Sequence, residues 1–174
     1  MPPFTRIRRE IEPRWVSEYI AETWPDVKVQ PRCPLGAIPK DVEKAYGLEK
    51  GARVFRPWRP EVDAVVFTPG ALILIEAKIS KPMDGLSKLP VYKSLVPTTP
   101  ELKEYSRLPV KMQLLLVQPL PWVVEAAGKA GVEIVNYAPK WVVDIWEERD
   151  RYWSKKAIEE RDLRKKRMRA AGIE

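Results

Sequence analysis

The sequence predicts an α/β protein, and three local patterns carry that expectation. Two apolar runs, residues 62–67 and 72–79, flank Thr68-Pro69-Gly70-Ala71, which is the pattern of a tight β-hairpin. Two further apolar runs, 110–118 and 132–137, stand 13 residues apart, the length of a parallel crossover carrying a helix. Upstream, Trp15, Val16, Tyr19 and Ile20 recur at helical spacing, with Glu18 and Glu22 turned away from them.

The elements follow in order. Residues 14–24 read as a helix, with Pro13 at or just before its first turn, where a missing N–H costs nothing. Residues 25–51, broken by Pro25, Pro31, Pro34, Pro39, Gly36 and Gly47, read as a long connection holding a short helix at 40–46. Residues 53–59 read as a strand that Pro57 confines to a sheet edge. After the hairpin the chain turns at Pro82-Met83-Asp84-Gly85. A helix follows near 89–96 with Pro90 in its first turn, then a short helix near 99–105. The strand at 110–118, a helix at 121–129 ended by Gly128 or Gly131, and the strand at 132–137 complete a core domain over 1–139. Residues 140–170 read as one long charged helix in a C-terminal segment, 140–174. Its start (Trp141, Val142, Ile145, Trp146) is apolar enough to dock on the core, and its end carries six basic residues among positions 161–169.

Composition narrows the chemistry. The chain has 174 residues, no histidine and one cysteine. That excludes Ser-His-Asp and Cys-His nucleophilic sites, His-ligated zinc, and any internal disulfide. A metal here must sit on carboxylates and carbonyls, which favours a hard cation such as Mg2+ or Mn2+. With 31 Lys+Arg against 24 Asp+Glu, the net charge of +7 points to a polyanionic partner such as nucleic acid. No apolar run is long enough to span a membrane, and the first residues lack the apolar stretch of a signal peptide. An intracellular location is the expectation.

The hairpin gathers the candidate chemistry. If Phe67 pairs with Leu72, then Val65 faces Leu74 and Asp63 faces Glu76, with Cβ atoms roughly 4.5–5.5 Å apart. The two-residue period places Lys78 on the face of Glu76. The opposite face (Val62, Ala64, Val66, Ile73, Ile75, Ala77, Ile79) is apolar and is expected to be the core side. Two opposed carboxylates repel, and a divalent cation between them removes the repulsion. Asp63, Glu76 and the backbone carbonyl of Ala77 offer three oxygens to such an ion, with Lys78 placed to act on an attacking water or on developing phosphorane charge. The alternative is a solvated polar hairpin end with an ordinary Glu–Lys ion pair.

Val62-Asp63, twelve residues, then Glu76-Ala77-Lys78 resembles the P-D…(D/E)-x-K signature of the PD-(D/E)XK, or restriction-endonuclease-like, nuclease superfamily. The resemblance covers roughly residues 14–137. It implies a restriction-endonuclease-like core of order αβββαβ, a mixed sheet flanked by helices, here with an extra αβ unit and a long basic C-terminal helix. It further implies a metal-dependent deoxyribonuclease, an endonuclease by family prevalence. Val62 stands where the signature's proline often sits, a position that varies in the family. Many members add a glutamate ligand from the first helix; Glu18 and Glu22 both qualify by type, Glu18 being nearer the helix centre. The Gln-x-x-x-Tyr motif of the RecB-like branch is missing after Lys78. A DNA-binding or structural module on the same fold with lost activity is the alternative.

Other residues are candidates for contact with DNA. Lys88, Tyr92 and Lys93 lie downstream of the hairpin, where Tyr92 can stack on a base; a helix packed through Leu89, Tyr92 and Leu95 explains them equally. Arg53, Arg56 and Arg59, interleaved with Phe55 and Trp58, suit a phosphate-binding edge or an edge strand protected by charge. Gln113 suits either a substrate-orienting role or a polar layer. Trp146 and Trp153 are candidates to anchor a second copy in a homodimer.

Overall fold

In the computed structural model, the backbone is described for residues 4–151 and 155–172, and side chains for 11–148 and 158–172. The chain divides into two compact units, Met1–Tyr137 and Ala138–Glu174.

The first unit is built on a five-stranded mixed sheet. In chain order its elements are α1 (Phe4–Thr23), β1 (Lys28–Pro34), α2 (Lys40–Tyr46), α3 (Leu48–Phe55), β2 (Glu61–Phe67), β3 (Leu72–Lys78), α4 (Pro82–Leu95), β4 (Val110–Leu116), α5 (Pro121–Ala130) and β5 (Val132–Asn136), with short 3-10 turns at Arg56–Trp58, Val96–Thr98 and Pro100–Tyr105. The strands lie in sequence order: β1–β2 and β2–β3 pair antiparallel, β3–β4 and β4–β5 parallel.

The hairpin register is the expected one, with Phe67 opposite Leu72, Val65 opposite Leu74 and Ala64 opposite Ile75. The loop holds that register through one side chain. The Thr68 hydroxyl donates to the Ala71 carbonyl at 2.7 Å and accepts from the Ala71 N–H at 3.0 Å, beside the Thr68 N–H bond to the same carbonyl at 3.0 Å.

Both faces of the hairpin are buried, which corrects the expectation of a single core side. Ala64, Val66, Ile73, Ile75 and Ala77 lie under α1, which brings Trp15, Val16, Tyr19 and Ile20 to that face. The face shared by Asp63 and Glu76 belongs to the larger core: Val65, Phe67, Leu72, Leu74, Met112, Leu114 and Leu116 meet Leu86, Leu89 and Tyr92 of α4 and Val123 and Ala127 of α5. A strand flanked by a parallel neighbour and covered on both sides reads as a continuous apolar run, and Leu72-Ile73-Leu74-Ile75 does so.

Several other boundaries differ. Residues 53–59 are not a strand: α3 runs through Phe55 and a 3-10 turn follows. The antiparallel edge is instead β1, inside the stretch read as a connection; its prolines are tolerated because an edge strand leaves half its N–H groups unpaired. Pro82-Met83-Asp84-Gly85 is the first turn of α4 rather than a loop, with Pro82 near its N-terminus and Pro90 in its interior. α1 starts ten residues earlier than expected, at Phe4, and contains Pro13.

The second unit contains α6 (Lys140–Arg151) and α7 (Lys155–Ala170), two described helices where one was expected. Trp153 lies outside the described residues. Positions 161–169 of α7 are exposed apart from a half-buried Arg161. Among the described residues no helix is long and apolar enough to cross a membrane.

Candidate functional site

The hairpin ladder ends short of the acidic pair, and that ending creates the site. The paired positions stop at Ala64–Ile75. Beyond them the Asp63 carboxylate accepts the Ala77 N–H at 2.8 Å, so a side chain takes over a backbone position. β3 stays anchored on its other side by β4, where Glu76 pairs with Leu114 and Lys78 with Leu116. Asp63 and Glu76 are thereby held beside each other by two different neighbours.

Glu76 is 2 % exposed, and its Oε2 is buried without a hydrogen-bond partner. Its Oε1 lies 3.0 Å from the Lys78 ammonium and 3.9 Å from that of Lys88 on α4. Lys78 also donates to the Ala77 carbonyl at 2.9 Å and to Glu12 Oε2 at 3.4 Å. Glu12 comes from α1, and its Oε1 accepts the Ile79 N–H at 3.4 Å. Three carboxylates from three elements thus surround one half-buried ammonium.

The electrostatics follow from burial. Burial and the neighbouring Asp63 charge push the Glu76 carboxyl up to about 7, with Lys78 offsetting part of the effect. Burial also raises the Asp63 carboxyl, against the pull of Lys78 and the Ala77 N–H. Burial alone would lower Lys78, but Glu76, Asp63 and Glu12 hold it well above the ordinary lysine range. Lys78 is therefore a fixed cation, suited to stabilising negative charge rather than to accepting a proton.

α4 is pressed onto this cluster at Gly85. A Cβ there would lie 2.5 Å from Leu114 Cδ1, 3.1 Å from Lys78 Cγ and 3.3 Å from Glu76 Cγ. Glycine is what lets the helix approach so closely.

The residues fit a hard divalent ion in one respect. A buried carboxylate oxygen without a hydrogen-bond partner, close to a second carboxylate and a carbonyl, belongs to a set of hard oxygen donors. Asp63, Glu76 and the Ala77 carbonyl are the residues that would hold it. Among the described residues, however, no three His, Cys, Asp or Glu side chains are grouped as a metal site on their own.

The other expected site residues divide. Lys88 stands at the rim. Tyr92 is buried, and burial together with the Glu76 and Asp63 charges pushes its hydroxyl up to about 12; of its two expected readings, the packed helix position is the one its burial fits. Lys93 is exposed on the last turn of α4. Arg59 is 6 % exposed, bound through both guanidinium nitrogens to Glu101 at 2.7 Å and to the Pro34 carbonyl at 3.2 Å, so it is a structural tie and not a phosphate-facing side chain. Arg56 is half-exposed and bonded to Glu61 at 2.7 Å. Gln113 lies on the α1 face, between the Tyr19 hydroxyl and Glu133, in a polar layer.

Glu18 is not the first-helix glutamate at the cluster. It stands six residues beyond Glu12, about 9 Å along the axis and on another side of the helix. Burial and the nearby Glu22 and Glu18 charges raise the Tyr137 hydroxyl instead. Glu12 was missed because the helix was expected to begin after Pro13. The apolar recurrence Ile7, Ile11, Trp15 at four-residue spacing is the signal that extends it.

No family model and no curated protein matches this chain. Among solved structures it is similar to the crystal structure of protein VC1899 from Vibrio cholerae, at 21% identity and a TM-score of 0.34, over 54% of this chain and 23% of that one. The chain thus spans about a quarter of that protein's length, and so slight a likeness assigns neither fold family nor function.

Proposed function

We propose that this chain is a Mg2+- or Mn2+-dependent nuclease of the PD-(D/E)XK type that hydrolyses phosphodiester bonds in DNA, as an endonuclease. One observation carries the reading: a half-buried Asp63 stands beside the buried Glu76 and a fixed lysine, with one Glu76 oxygen left without a partner. Burying two like charges costs several kcal/mol unless a cation repays it, and Lys78 alone leaves Glu76 Oε2 unsatisfied. The first unit also supports the reading: apart from the helices α2 and α3 inserted between β1 and β2, its elements α1, β1, β2, β3, α4 and β4 follow the order αβββαβ.

Each residue has a role in this reading. Asp63, Glu76 and the Ala77 carbonyl bind the ion, which when bound supplies Lewis-acid polarisation of the phosphate and a more acidic water. Lys78 orients that water or steadies charge developing on the phosphate, and Glu12 fixes the position of Lys78. Lys88, at the rim, attracts a phosphate.

A second reading is a DNA-binding module on the same scaffold without activity. It is favoured by the Lys78 ammonium, which already occupies the Ala77 carbonyl and two carboxylates.

Incubating the purified chain with single-stranded, duplex, flap and junction DNA in Mg2+ or Mn2+ separates the two. Cleavage is expected with wild type and lost by at least about 100-fold in Glu76→Ala, a drop of some 3 kcal/mol in transition-state stabilisation. No cleavage of any substrate by the wild type leaves the binding module standing.

A further inference from the structure

Phe55 and Trp58 form an aromatic platform that the hydrolytic reading does not use. Their rings lie 5.5 Å apart and 22° from parallel, and Trp58 is 71% exposed. A tryptophan held out on a stacked partner gains little from folding, whereas its free face is a surface for another flat ring.

Cations surround it. Arg53 is exposed on the preceding turn, and Arg56 and the exposed Arg32 both bond Glu61, at 2.7 and 3.0 Å, so two arginines share one carboxylate. Arg32 interrupts β1 in the left-handed conformation, at φ 48, opposite Asp63 on the neighbouring strand. Such a backbone costs on the order of 1–3 kcal/mol for a non-glycine residue. It is pinned there by Arg56, which donates to the Arg32 carbonyl at 2.8 Å.

Arg32 also joins two cavities. One is open and is lined by Arg32, Arg56, Pro57, Arg59 and Glu61. The other, about 360 Å³ and mainly apolar, runs between α1 and β1 past Ile20, Trp24 and Pro31 to Asp63. Arg32 therefore links an arginine-lined hollow, next in the chain to the exposed Trp58, to an apolar recess that Asp63 also lines.

We propose that this surface receives an unpaired strand of DNA, with one base stacked on Trp58, phosphates on Arg32 and Arg56, and a further base in the recess beside Asp63. Only an unpaired strand offers free base faces and can leave a base in an apolar recess; a duplex keeps its bases stacked inside. This names the substrate class of the hydrolytic site and, at its Asp63 end, rests on that reading.

Fluorescence anisotropy tests it with the metal chelated by EDTA, using a labelled strand of about 16 nucleotides, alone and annealed to its complement. The single strand is expected to bind more tightly than the duplex. Trp58→Ala should weaken single-strand binding roughly 5- to 150-fold while changing duplex binding less than about twofold, and Trp58→Phe should keep most of the affinity. An equal loss on both substrates, or no loss on the single strand, overturns the proposal. Trp58 is exposed, so unchanged thermal melting of both variants is expected and confirms that folding is not what is read. Binding of single strands without cleavage of any substrate would remove the hydrolytic reading and keep this one. Metal-dependent cleavage without Trp58-dependent strand binding would do the reverse.

Discussion

At Glu76 three demands meet: burial, a neighbouring carboxylate, and a lysine close enough to pair with only one of its oxygens. The folded carboxyl titrates near 7, whereas the unfolded chain gives up that proton near pH ~4.3. Between those values the folded state binds more protons, so this contribution to stability is fully present below the unfolded pKa and is lost as pH rises through 7. In EDTA the melting temperature should therefore fall from pH 5 to pH 8, and Glu76→Gln, neutral throughout, should flatten the fall. Parallel profiles for the two proteins would contradict the placement of Glu76. The pairing of Asp63, Glu76 and Lys78 was legible because strand parity and a four-residue loop are local rules. Their burial was not, since it depends on α4 and Gly85 approaching from elsewhere. Glu12 was hidden behind Pro13, a residue that more often starts a helix than sits inside one.

Among the elements, the hairpin and the parallel strands were readable because their side-chain patterns are strong and uninterrupted. β1 was not: Lys28-Val29-Gln30-Pro31-Arg32-Cys33-Pro34 carries two prolines and a left-handed residue, and only its pairing with β2 makes it a strand. The stretch at 53–59 misled for the opposite reason, since Phe55 and Trp58 favour strands intrinsically while the helix from Leu48 overrides them. Arg59 shows what that segment does. It ties the start of β2 to the Pro34 and Leu35 carbonyls and to Glu101 in the 3-10 turn before β4. Arg59→Met leaves the Glu101 carboxylate and two carbonyls without their donor and should lower stability by about 3–5 kcal/mol in urea denaturation. DNA affinity per folded molecule should be unchanged. A selective loss of DNA binding with full stability would return Arg59 to the phosphate-binding role.

For the molecule as a whole, alternating apolar patterning was enough to anticipate a mixed sheet between helices, because both sheet faces must be covered for parallel strands to persist. The net charge of +7 was enough to suggest a polyanion, since long-range attraction depends on the sum of charges rather than on their placement. Neither could show which carboxylates would hold the proposed ion. That question has a direct measurement: titrating Mn2+ into the metal-free chain, with bound ion followed by its electron paramagnetic resonance signal. One ion per chain is expected, lost in both Asp63→Asn and Glu76→Gln. No binding by the wild type at millimolar Mn2+, or undiminished binding by the two variants, would contradict a shared ion at this pair.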